Sequence, residues 1–385
     1  MKTNLCDVKY KLYLIIFLVF IQFLPSCTFS ENSNNNIEDE EIKHGIVYYE
    51  EGKYGGWPAN NGIWIWDNEI LVGFVQADYK EVSGSMHTYD RSTTKNMYAR
   101  SKDGGLTWSI EDAYKDQATE SQILQQSMPD FTNPDFAMVF QRSENDNKVT
   151  NFYYSNNRGA DWNGPYLFPD LNTGGVESRT DYIIDGQQEM NVFITVAKSN
   201  KEEGRVALAR TIDGGVNWEI VSWVGPEPEG FDIMPSSLRL SPTELITTVR
   251  SRTADGQDLI TAYASNDNGV TWEKLKNPVA DTGKGGSPSA LLKLQNGRLV
   301  LGYTYRSNYG SRVNIRFSSD NGRTWSDEIM LRGGDGANRD CGYPRMVQRP
   351  DGKVVMIYYW NNVNQEGAAP YRYIASTIFD PDQWK

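Results

Sequence analysis

The sequence predicts an all-β protein folded as a six-bladed β-propeller, and three observations lead there. An octet ending in Trp recurs five times at a nearly constant interval, and a second pattern recurs between the octets. The composition is that of a turn-rich β fold, with 12% aromatic residues, 34 Gly and 16 Pro among 385 residues. The octets are SKDGGLTW (Ser101–Trp108), SNNRGADW (Ser155–Trp162), TIDGGVNW (Thr211–Trp218), SNDNGVTW (Ser265–Trp272) and SSDNGRTW (Ser318–Trp325), with their Trp residues 54, 56, 54 and 53 apart. A period of this size marks a repeat architecture whose units bury their faces against one another.

Each element has a local reason. Within an octet, the Asp or Asn accepts backbone hydrogen bonds inside the turn, the Gly takes positive φ, and the Trp packs between adjacent sheets. An alternating strand precedes each octet, as in NMYARS, TNFYYS, RVALART, ITAYAS and RVNIRFS. The second pattern opens the inner strand of each unit, at Trp57, Met234, Ser287 and Tyr343, with weaker versions around Pro129–Arg142 and Val176–Lys198. Dividing the stretch from Gly45 by the repeat length gives six units of four short strands, each one blade. The early strand His44–Glu50 is expected to pair with the C-terminal YIASTIF and close the ring. No long helix is called for.

The N-terminus reads as an export signal. Lys2, Lys9 and Lys11 precede the apolar run Leu12–Leu24, which is short for a membrane span. Leu24-Pro25-Ser26-Cys27 then resembles a bacterial lipobox, in which Cys27 becomes the lipidated first residue. The expected organisation is a lipoprotein signal over 1–26, an acidic, Asn-rich tether over 27–43, and one propeller over 44–385. That organisation places the protein at a bacterial cell envelope, touching the membrane only through its lipid. A formal charge of −12 excludes the basic footprint that a nucleic-acid binder needs. Three cysteines make no disulfide framework, and no Cys/His set has zinc spacing. No cofactor is required, although the acidic loops could hold a structural Ca²⁺. The chain is expected to be a monomer.

The octets are Asp-boxes, and together with the inner-strand pattern they make the chain resemble the sialidase superfamily over residues 45–385. Asp-boxes lie on the rim away from the funnel, so they speak for fold and function must come from the funnel. The resemblance implies three arginines gripping a substrate carboxylate, a Tyr nucleophile assisted by a Glu, and an Asp acid/base. Carried over by position, it gives Tyr343 as the tyrosine, Arg250 and Arg312 as two arginines (with Arg306 as a rival to Arg312), and Asp90 as the acid, beside His87 and Arg91. Two positions depart from the pattern. Gly56-Trp57-Pro58 stands where the first arginine belongs, and Met234 stands where the glutamate belongs. An unassisted phenol near pKa 10 is almost wholly protonated at neutral pH. Arg179 and Glu177, in the segment opening the third inner strand, are candidates to replace the missing charges.

His87 lies in a long polar insertion, GSMHTYDRST, expected to overhang the funnel. A His and a Tyr over an arginine-held carboxylate suit β-elimination from a uronic acid. Cations stabilise the enolate-like form while one group takes the α-proton and another protonates the group leaving C4. Some β-propeller lyases of acidic algal and plant glycans resemble this arrangement, though they have seven blades. The sequence therefore points to an enzyme on acidic oligo- or polysaccharides, a lyase or dehydratase using His87 and Tyr343. A sialidase-like exo-hydrolase using Asp90 and Tyr343, and a non-catalytic glycan-binding lipoprotein, are the alternatives. Trp57, Trp64 and Trp66 divide between sugar stacking and packing between blades.

Overall fold

A computed structural model describes residues 42–83, 87–114, 120–143, 148–362 and 372–384. Cys27 and the tether up to residue 41 lie outside the described residues. The strands form six antiparallel sheets. Blade 1 pairs two short inner segments, Lys53–Gly56 and Ile63–Trp66, with Glu69–Asp78, followed by Lys95–Ser101 and Ser109–Asp112. Blade 2 contains Ala137–Arg142, Thr150–Ser155 and Asn163–Leu167, and blade 3 contains Tyr182–Ile184, Met190–Ala197, Glu203–Thr211 and Glu219–Trp223. Blade 4 comprises Phe231–Arg239, Leu245–Arg252, Asp258–Ser265 and Glu273–Lys274. Blade 5 comprises Ala290–Lys293, Leu299–Tyr305, Arg312–Ser318 and Ile329–Arg332. Blade 6 uses Gly342–Gln348, Val354–Trp360 and Tyr373–Phe379, and takes Lys43–Tyr48 as its outermost strand.

The ring closes as the sequence predicts, with Lys43 opposite Ile378 and Tyr48 opposite Ile374. The four-strand expectation fails in blade 2, where Ala137–Arg142 is the second strand and the segment before it forms no regular inner strand among the described residues. That segment, SMPDFTNPD, carries two prolines that cannot donate to a ladder. Among the described residues the only α-helix is the single turn Pro58–Asn61.

Alternation along the strands places an apolar cluster in each gap between blades. Trp64, Leu71 and Tyr98 meet Ala137, Val139 and Trp162 between blades 1 and 2, and Tyr54, Val72 and Phe74 meet Val355, Ile357 and Tyr359 between blades 6 and 1. The other four gaps are filled in the same way. Each large side chain fully buried there contributes about 1.5–3 kcal/mol.

The octets form the expected turns. Asp103 Oδ1 accepts from the amides of Leu106 and Thr107 at 3.1 and 2.9 Å, and Asp213, Asp267 and Asp320 repeat the bond to the equivalent amide. Each turn also glues its blade to the one before it. Gly159, at φ 73°, lies so close to blade 1 that a Cβ there would meet Leu71 Cδ2 at 2.5 Å. In an antiparallel blade, inner-strand starts, second-strand ends and third-strand starts share one face, which is the mouth of the propeller. The octet turns, joining third to fourth strands, lie on the opposite face.

Candidate functional site at the mouth of the propeller

The second sequence pattern has a specific backbone meaning. Trp57, Met234 and Tyr343, its opening residues in blades 1, 4 and 6, all have left-handed φ of 54–55°. In blades 4 and 6 the ladder registers shift at that residue. Bulky side chains at positive φ are uncommon and cluster at functional sites, where the surroundings hold them. The left-handed turn at these residues brings Met234 and Tyr343 into one cluster and sets Trp57 beside Tyr359. Tyr343 packs there against the small cluster of Ala59, Ile233 and Met234.

Arginines surround Tyr343. Arg250, on the second strand of blade 4, donates from Nη1 to the Tyr343 hydroxyl at 3.1 Å, and its Nη2 donates to the Gly285 carbonyl. Arg306, at the end of the second strand of blade 5, places its guanidinium carbon 5.2 Å from the Tyr343 ring centroid. It is held by the carbonyls of Cys341 and Gly286 at 2.8 and 2.7 Å and by the Tyr359 hydroxyl at 2.9 Å. Burial pushes the Tyr343 phenol up, but the charges of Arg250, Arg306 and Arg179 outweigh it and hold its pKa below the ordinary 10.0. The arginines therefore supply part of the activation that the absent glutamate would have given. At the glutamate's place, Met234 Sδ lies 3.8 Å from Arg250 Nη1.

His87 is held across the same mouth. Its Nδ1 is 2.8 Å from Asp340 Oδ1, and Asp340 is wholly buried. Asp340 also takes Arg372 Nε at 2.9 Å, the Tyr359 hydroxyl at 3.0 Å and the Tyr54 hydroxyl at 3.3 Å. Burial alone would raise the Asp340 pKa, but His87 and Arg372 outweigh it and hold it below 3.8. An ionised carboxylate can only accept, so His87 Nδ1 carries a proton, and proton exchange falls to Nε2. The His87 ring lies edge-on to Trp57 at 5.2 Å, and Tyr359 bridges to Tyr343 at 5.9 Å. One aromatic wall thus runs from the histidine to the tyrosine.

Glu177 and Arg179 are buried rather than on the rim, in a cluster with Arg142 and Glu203. Arg142 pairs with Glu177 at 2.7 Å and Arg179 with Glu203 at 3.3 Å. Burial and the neighbouring Glu203 carboxylate raise Glu177 to about 7, so Glu177 keeps its proton up to near neutrality. The cluster reaches the tyrosine, because Glu203 opposes the arginines in setting the Tyr343 pKa. Arg142 and Arg179 also line a cavity of about 160 Å³ with Asn60, Asn61 and Gln141. Among the described residues, the Nε atoms of Arg142, Arg179 and Arg250 are buried without a hydrogen-bond partner.

Two sequence assignments need correction. Arg312 does not approach Tyr343. It starts the third strand of blade 5, stacks 4.5 Å from the Tyr305 ring and faces Glu328 at 3.8 Å, and its rival Arg306 lies by the tyrosine. Arg306 directly follows the second strand, and the loop Ser307–Ser311 separates it from Arg312. Asp90 is already engaged. It caps the 3₁₀ turn Arg91–Thr93 and pairs with Lys80 at 2.8 Å, and those bonds hold its pKa at about 2. Arg91 is exposed on that turn. Trp64 and Trp66 bond to Tyr182 and Pro134 across the gap between blades, which leaves Trp57 as the tryptophan at the mouth. Asp340, Glu203 and Arg142 were missed by sequence reasoning. The NRDCGYP segment places Asp340 three residues before Tyr343, the one signal that could have found it. Among the described residues no cluster of His, Cys, Asp and Glu could hold a metal ion.

The BNR repeat-like domain family matches residues 188–356. No curated protein matches the sequence. Among solved structures, a Dyadobacter fermentans protein of unknown function is 22% identical, with a TM-score of 0.65 over 88% of this chain and 98% of its own. An α-L-arabinofuranosidase from Fusarium graminearum, in complex with an iminosugar inhibitor, is 12% identical with a TM-score of 0.54, over 89% of this chain and 97% of its own. A Trypanosoma rangeli sialidase bound to the inhibitor DANA is 12% identical with a TM-score of 0.51, over 86% of this chain but 56% of its own. The chain thus spans about half the length of that sialidase. The chain is thus a six-bladed β-propeller with five Asp-box turns, whose residues 188–356 match BNR repeats and whose fold is similar to that of these solved structures.

Proposed function

We propose that the mouth of this propeller acts on a carboxylate-bearing sugar by β-elimination, as a lyase or dehydratase of uronate-containing glycans. The observation that carries this reading is the pairing of a cation-clamped Tyr343 with an Asp340-held His87 along one aromatic wall. Two sialidase groups are missing beside it, since Asp90 is tied to Lys80 and Met234 replaces the glutamate. Arg250 and Arg179, whose charges both act on Tyr343, take the substrate carboxylate. The Tyr343 phenolate removes the proton α to that carboxylate. The C–H electron pair forms the new double bond as the C4–O bond breaks, and His87, entering the step protonated on both ring nitrogens, delivers its Nε2 proton to the departing oxygen. That the same fold is found in an α-L-arabinofuranosidase and in sialidases supports a sugar as the substrate. The lipidated Cys27 and acidic tether expected from the sequence would hold the enzyme at the cell envelope.

The test follows ultraviolet absorbance of a conjugated double bond and release of reducing ends together, on a panel of uronate and sialate oligosaccharides. Absorbance with reducing ends identifies a lyase, and absorbance alone identifies a dehydratase. Both should vanish in Tyr343→Phe and His87→Ala and survive in Asp90→Asn. Free sugar without absorbance refutes elimination. It would favour a second reading, an exo-glycosidase in which the Glu177–Glu203 pair assists Tyr343, for which the elevated pKa of Glu177 speaks. Binding without either product would leave a glycan-binding module.

A further inference from the structure

We propose that a cavity between blades 4 and 5, beside the funnel, is a second sugar subsite that takes an acidic residue of an extended glycan. The inference rests on the acidic-sugar reading of the funnel and names a feature of the substrate, namely a chain charged beyond its reacting residue. The cavity holds about 730 Å³, within the roughly 300–1,000 Å³ of ligand sites. Its wall is the loop that also holds the funnel arginines, because Gly285 and Gly286 accept from Arg250 and Arg306. The loop is rigidly built. Gly285 donates to Asp258 Oδ2 at 3.0 Å, Lys284 N donates to the Arg306 carbonyl at 2.9 Å, and a Cβ on Gly283 would meet that carbonyl oxygen at 1.9 Å.

The lining is cationic on an acidic protein. Lys284 and Arg339 face the cavity, and among the described residues neither side chain has a hydrogen-bond or ion-pair partner. Two carboxylates also line it and are already engaged. Asp258 is paired with Arg252 at 2.8 Å, and Asp281 accepts from the Gly283 amide at 2.7 Å. At the lip, Tyr309 is 89% exposed, on a loop fixed by Ser307 Oγ donating to the Tyr309 carbonyl at 2.7 Å. An aromatic face that packs on nothing, beside two unpaired cations, fits a sugar ring that stacks on its apolar face and carries a carboxylate on its edge. Continuity with Arg306 makes this subsite and the funnel one track.

The test is affinity electrophoresis of the whole mature protein in gels containing polygalacturonate, alginate or, as a neutral control, arabinan. The wild type and Tyr343→Phe should both be retarded by an acidic polymer and not by arabinan. Lys284→Ala combined with Arg339→Ala should bind about tenfold more weakly, roughly 1.4 kcal/mol. Tyr309→Ala should bind more weakly while keeping the wild-type salt dependence. Unchanged thermal midpoints would show that the variants fold. On the shortest turned-over oligosaccharide the double variant should keep its rate, losing only the gain that longer chains give. Absence of retardation by either acidic polymer, or wild-type retardation of the double variant, overturns the subsite. Cation-dependent retardation with no turnover of any acidic glycan would keep the subsite and overturn elimination instead.

Discussion

Replacing Asp340 by Asn should be the most damaging conservative change in the protein, and its size can be worked from the structure. Asp340 is wholly buried and Arg372 is 2% exposed, so the substitution leaves a guanidinium charge buried opposite a neutral amide. Removing one partner of such a pair costs about 3–5 kcal/mol. The amide keeps the shape, and its oxygen at the Oδ1 place can still accept from Tyr359 and His87, so the loss comes chiefly from the charge and from the Arg372 bond at Oδ2. The pH dependence follows in sign. The folded pKa of Asp340 is below 3.8, so its stabilisation is fully present above 3.8 and is lost as pH falls through the folded value. The gap between wild type and variant should therefore be widest near neutrality and close in acid. Urea unfolding followed by tryptophan fluorescence, at pH 7, 5 and 3.5, measures it. A variant within about 1 kcal/mol of wild type at pH 7, or a gap that widens in acid, would refute a charged Asp340 as the centre of this network.

Three further outcomes are expected. Tyr343→Phe should cost about 0.5–1.5 kcal/mol of stability through the lost Arg250 bond but lower turnover by about 10²–10⁴-fold, read by parallel unfolding and rate measurements. Glu177 is raised from 4.5 to about 7, so the folded state holds the extra proton and stability should fall as pH rises across that window, by up to about 3 kcal/mol; Glu177→Gln should flatten that fall in pH-dependent unfolding curves. Gly159→Ala forces a Cβ to 2.5 Å from Leu71 at φ 73° and should destabilise by about 1–3 kcal/mol, while the folded fraction keeps its activity.

The fold was legible because a repeat writes the same physics several times. Five turns with Asp, Gly and Trp at fixed offsets, and strands alternating between them, leave little else to build. The ring closure was legible for a similar reason, since the chain supplied an apolar strand at each end. The site was less legible because it is assembled from blades far apart in sequence. Tyr343 and Arg250 came from positions that the repeat itself aligns. Arg312 was misplaced because a shift of a few residues at a strand end decides which side chain faces the mouth, and Asp90 because nothing in the sequence shows that it caps a turn and pairs with Lys80. Glu203 and Arg142 carry no local mark, and only the ring brings them to Glu177 and Arg179. Asp340 reads as one more loop aspartate until Arg372, His87, Tyr54 and Tyr359 converge on it.

The strand Lys43–Tyr48 has a mechanical consequence. It is the last strand of blade 6 by pairing and the first by sequence, so a pull on the N-terminal side is borne by its ladder with Tyr373–Phe379. Its first four residues are exposed, and only Val47 and Tyr48 are buried. The clasp is therefore held mainly by backbone bonds that break in succession rather than by a buried face that must yield at once. If it opens, the other five blades keep their sheets, and the bared edge of Tyr373–Phe379 offers a register that the same strand of a second copy can fill. Tension and strand exchange between molecules thus act at one place in the ring, the outer edge of blade 6.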